Sequence, residues 1–127
     1  MTEQTLPHLH VCVTCRAGRD LAPDEMPPGA HLHAALAARL AGQAEPVVAL
    51  REVTCLAACG HGCTAALAAP GKWTMLLGHL SAELAEDLLT YAGTYAASER
   101  GTVLPSRRPA SLRDIVLGRI PAPEATP

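Results

Sequence analysis

The chain has 127 residues and a net charge of −2 with its six histidines neutral. That suits one domain with its own hydrophobic core, and it excludes a global positive field drawing the protein to nucleic acid or an anionic membrane. With no Phe, one Trp and two Tyr, a base-stacking surface is not expected, and the core must be built from small aliphatic side chains. No apolar run approaches the roughly 20 residues of a membrane span, and Met1-Thr-Glu-Gln-Thr5 lacks the basic and apolar blocks of a secretory signal. The expected compartment is therefore the cytoplasm. There, five cysteines are poor material for structural disulfides, and an odd number cannot all pair within one chain. Metal or redox chemistry is left.

In chain order, Leu9-His-Val-Cys-Val13 alternates and predicts a short strand that delivers Cys12. Pro23, Pro27 and Pro28 mark Arg16 to Gly29 as a loop. Leu32, Leu36 and Leu40 recur every four residues among alanines, which predicts a helix over Ala30 to Leu40. Gly42 stands where a helix end favours positive φ. Val47 to Leu50, with Val53, reads as a buried strand ending at Cys55. Thr64 to Ala68 and Lys72 to Leu77 form two antiparallel strands around the Pro70-Gly71 turn. Ser81 is a candidate cap for a helix running to about Ala97, with Glu83, Glu86 and Asp87 near its positive end. Ser111 to Leu117 predicts one or two helical turns, and the last residues, Pro121 to Pro127, a loose tail. The expected organisation is a domain over residues 1–100 and a C-terminal extension over 101–127.

Strand, helix, strand, then a hairpin and a closing helix is the order of a thioredoxin-like α/β sandwich with a small mixed sheet. Its chemistry is concentrated in Cys55-Leu-Ala-Ala-Cys-Gly-His-Gly-Cys63, which holds three of the five cysteines. Gly60 and Gly62 let this backbone curl so that sulfurs and peptide N–H groups can face one point. A fold joining this loop to Cys12 and Cys15 would assemble a four-thiolate site. Tetrahedral sulfur suits zinc and iron–sulfur clusters alike. The 39 residues between Cys15 and Cys55 are long for a zinc ribbon, whose pairs lie roughly 15–20 apart. A third reading, a Cys12-X₂-Cys15 dithiol, lacks the helix that normally follows such a motif and lowers the thiol pKa. Any of the five could instead be a small core hydrophobe, Cys63 first among them as it opens a strand. His61, between the two glycines, is a candidate metal ligand or a means of coupling a cluster to pH, against the plainer reading of a solvated loop residue. His8, His10, His31, His33 and His79 read as surface or satisfied positions. Arg16, Arg19, Arg107, Arg108, Arg113 and Arg119 form a possible docking face for an acidic redox partner.

Cys55-Leu-Ala-Ala-Cys59, the glycine link, the apolar strand, Pro70-Gly71 and the strand after it together resemble the second half of the thioredoxin-like [2Fe–2S] ferredoxins. The resemblance implies a cluster held by Cys12, Cys15, Cys55 and Cys59, two thiolates from each loop. It also implies a one-electron carrier without catalysis of its own, with a reductase and an acceptor as partners and a homodimer as a possible state. Two features depart from that pattern: the two-residue spacing of the first pair, and Cys63. A second ligand set, Cys12 with Cys55, Cys59 and Cys63, stays open beside the first. From Leu9-His-Val-Cys-Val-Thr-Cys-Arg16 through Gly71-Lys-Trp-Thr74 to Arg119-Ile-Pro121, the chain also resembles a bacterial family described only as predicted metal-binding proteins.

Overall fold

A computed structural model describes residues 6–14, 16, 20–57 and 62–122. The protein is an α/β sandwich with one five-stranded mixed sheet and two helices, an architecture compatible with a small thioredoxin-like fold. The strands are β1 (His8–Cys12), β2 (Ala49–Val53), β3 (Cys63–Ala68), β4 (Thr74–Leu80) and β5 (Val116–Ile120), in the order β2-β1-β3-β4-β5. β1 and β2 run parallel and the remaining neighbours antiparallel. The parallel pair requires a crossover, which helix α1 (Pro28–Ala41) supplies. Helix α2 (Ala85–Ala97) follows the β3–β4 hairpin, whose turn is closed by Lys72 N–H donating to the Ala69 carbonyl at 3.1 Å.

The core lies on one face of the sheet. Leu9 and Val11 of β1, Ala65 and Leu67 of β3, and Met75 and Leu77 of β4 all bury there. The α1 stripe Leu32, Leu36 and Leu40, and Leu88, Tyr91, Ala92 and Tyr95 of α2, pack onto them. The other face follows from the two-residue period of a strand. His8, His10, Ala66, Ala68, Thr74 and Leu76 lie there, all half-buried, and none joins the core cluster.

Three expectations are corrected. Gly42 has φ −86° rather than a positive angle, because α1 ends in a tightened right-handed turn, with Gly42 N–H donating to Arg39 O and Gln43 N–H to Leu40 O. Ser81 makes no side-chain cap; it precedes a 3-10 turn over Ala82–Leu84, and α2 itself starts at Ala85. The helix expected over Ser111 to Leu117 is a single 3-10 turn, Ala110–Leu112, after which the chain straightens into β5. The segment read as an extension thus contributes the sheet's edge strand, with Gly78 N–H donating to Ile115 O at 2.7 Å where β5 joins β4. Val103, Leu112 and Ile115 from the same segment belong to the core cluster. Among the described residues no helix is long and apolar enough to cross a membrane.

Candidate metal centre

Three described cysteines lie at one end of the sheet, and the strand directions are the reason. Cys12 is the last residue of β1 and pairs with Val53, the last residue of the parallel β2, two residues before Cys55. β3 runs antiparallel to β1, so its first residue, Cys63, falls at the same end. Val13 N–H donates to Val53 O at 3.0 Å, carrying the pairing one step past the strands. The loop after β1 and the loop after β2 therefore leave the sheet side by side. Cys15, Cys59 and His61, with Gly60, lie outside the described residues.

The three thiols have different surroundings. Cys12 is 2 % exposed and outside the core cluster; its Sγ donates to Thr54 O at 3.4 Å and lies 3.7 Å from Thr14 Oγ1. Thr14 Oγ1 also donates to Thr54 O, so that carbonyl ties the two loops together. Cys55 is exposed, and its Sγ accepts a hydrogen bond from Ala57 N–H at 3.2 Å. Ala57 has φ +58°, in the left-handed region that costs a non-glycine residue about 1–2 kcal/mol. That conformation turns the peptide N–H back toward the sulfur. Cys63 is 1 % exposed and packs within the apolar core cluster, the position of a small core hydrophobe. Gly62 before it has φ +76°, and a Cβ there would lie 3.2 Å from His79 Cα, so glycine is required where the cysteine loop meets β4.

Among the described residues, no three His, Cys, Asp or Glu side chains converge as a group that could hold a metal. The fit to a four-thiolate site thus rests on Cys12, which closes β1, and Cys55, two residues past its β2 partner Val53. A soft, exposed sulfur already receiving a backbone N–H is the environment that thiolate ligands of iron–sulfur clusters have.

Residues 9–122 match the model of a family described as Protein of unknown function (DUF1636). The chain belongs to that family. No curated protein and no solved structure matches it. All five cysteines of this DUF1636 protein fall within the matched residues.

Two of the arginines read as a docking face have structural partners. Arg108 donates to Arg113 O at 2.8 Å and to Val103 O at 3.4 Å, pinning the loop before β5. Arg119 lies 5.0 Å over the Trp73 ring, a cation–π contact. His33 stands 3.9 Å from Glu52. Thr14 and Thr54 were not legible as partners of Cys12 from their types; only adjacency to the cysteines marked them. His8 and His10 line an open cavity of about 670 Å³ together with Ala68, Pro70 and Thr74. Their alternation in β1 was the available signal. Burial first, then the nearby charges of His8 and Arg51, hold the His10 imidazole below its usual range.

Proposed function

We propose that this protein is a one-electron carrier holding a [2Fe–2S] cluster on Cys12, Cys15, Cys55 and Cys59. The parallel pairing of β1 with β2, which ends in the Cys12–Val53 pair, is the observation that supports it. Two cysteine-bearing loops emerging side by side can each supply two thiolates, as a binuclear cluster requires. The cluster, when bound, supplies the one-electron chemistry. The chain's own residues hold the thiolates, and Ala57 N–H donates to the Cys55 sulfur, an interaction that favours added negative charge. The carbonyl of Thr54, accepting from Cys12 and Thr14, keeps the two loops in register.

Cys63 is a buried member of the core cluster, whereas Cys55 meets solvent. This favours the set without Cys63. The reading places the protein in the cytoplasm, where thiols stay reduced, with a reductase and an acceptor protein as partners. Protein purified without air is expected to be reddish-brown and to contain iron and acid-labile sulfide in equal amounts. A Cys15→Ser or Cys59→Ser variant is expected to lose that colour, and a Cys63→Ser variant to keep it. Colourless protein with one zinc per chain would overturn the proposal in favour of a zinc-binding module.

A further inference from the structure

We propose that His8 and His10 form a second metal site, separate from the cysteine end, which binds a divalent transition ion of the zinc type on the open face of the sheet. Residues two apart on a strand project from the same face, and β1 carries both imidazoles into one cavity of about 670 Å³. Their ring centres are 5.9 Å apart, with the planes inclined at 59°. Two imidazoles sharing one tetrahedral zinc, each at a Zn–N distance of about 2 Å, have ring centres about 5 Å apart. Closing that difference takes a small side-chain rotation and no movement of the strand.

The surroundings suit a chelate with open positions. The cavity leaves room for water to complete the coordination shell, and the Thr74 residue lines it. The Lys72 ammonium does not compete for the site: it donates to Ala96 O and Ser98 O at the end of α2. Arg51 pairs with His10 across the sheet, and its positive charge opposes any bare cation. That selects for an ion whose affinity comes from nitrogen donation, such as zinc, nickel or copper, and against magnesium or calcium, which seek oxygen. Cys12 lies two residues beyond His10, about 7 Å along the strand, with its sulfur engaged by Thr54 O at 3.4 Å. The site therefore stands whether or not the cysteines hold a cluster.

The test is a titration of the full-length protein with Zn²⁺ alone, read by the imidazole proton resonances of individual histidines. Resonances of His8 and His10 are expected to shift together and to saturate at the same zinc concentration, in the unaltered chain and in a Cys55→Ser variant alike. Mg²⁺ is expected to move neither. His8→Ala and His10→Gln are each expected to weaken this binding about tenfold or more, because losing a direct ligand costs at least as much as disturbing a supporting residue. Both side chains are half-buried and outside the core cluster, so these variants are expected to keep the fold, and an unchanged circular dichroism spectrum checks that. Zinc that moves only one of the two imidazoles, moves neither, or binds with unchanged affinity in both variants would overturn the site. Loss of the shifts in Cys55→Ser would overturn its independence.

Discussion

Removing residues 101–127 tests whether the C-terminal segment is an appendage or part of the fold. The deletion takes three aliphatic side chains out of the core: Val103 is 5 % exposed, Leu112 0 % and Ile115 3 %. At about 1.5–3 kcal/mol for each fully buried aliphatic side chain, their loss costs about 5–9 kcal/mol, an upper figure because the unfolded chain already buries some surface. The same cut strips β5 from β4, and it removes the Ser111 hydroxyl that donates to Asp87 Oδ2 at 2.6 Å and ties the segment to α2. Against a net stability of about 5–15 kcal/mol for a domain, such a loss leaves little or no folded population. Residues 1–100 and the full chain, compared by circular dichroism and urea unfolding, are expected to differ in kind, the fragment showing no cooperative transition. A fragment that unfolds cooperatively, with the same midpoint and slope as the full chain, would refute this reasoning and make 101–127 a separable extension.

The turn that leads into this segment is equally constrained. Gly101 has φ +76°, and a Cβ there would lie 2.5 Å from Tyr95 Cε1 and 3.0 Å from Lys72 Cβ. Gly101→Ala is expected to cost about 2–5 kcal/mol from left-handed strain and overpacking together, measured by denaturant unfolding. The two tyrosines should respond differently to losing their hydroxyls. Tyr95 OH donates to Trp73 O at 2.6 Å, so Tyr95→Phe is expected to cost about 1–3 kcal/mol. Tyr91 OH is buried without a hydrogen-bond partner among the described residues, and Tyr91→Phe is expected to change stability by less than about 1 kcal/mol. Burial, reinforced by Tyr91, pushes the Tyr95 phenol up from 10.0 to about 12. The unfolded chain then loses this proton first, so the stability the phenol contributes is complete below pH 10 and falls as pH rises from about 10 to 12. Thermal unfolding followed across that range is expected to show the decline, and Tyr95→Phe to flatten it.

The elements carried by a local pattern were legible in the chain. Leu32, Leu36 and Leu40 mark α1 because a period of about four residues puts them on one face, and all three are buried. The alternation of Leu9 and Val11 against His8 and His10 marks β1, and Pro70-Gly71 marks the hairpin. What the pattern missed depends on distant partners. Val116 to Ile120 is interrupted by Gly118 and Arg119 and does not alternate cleanly, too little to announce a strand; it is one because β4 offers an edge to pair with. Gly42 and Ser81 carry the residue types of helix ends, but the turns built there satisfy the backbone without positive φ at Gly42 or a side-chain cap from Ser81.

Spacing along the chain determined that five cysteines form two groups, and residue chemistry made those groups candidates for a metal. It could not determine how the groups stand in space. The tertiary structure decided that Cys12, Cys55 and Cys63 lie at one end of the sheet, because only strand pairing and direction relate residues so far apart in sequence. It also decided that Cys63 packs in the core while Cys55 meets solvent, since burial is set by what covers a face. The same physics left His8 and His10 on an open face, where no helix among the described residues shields them.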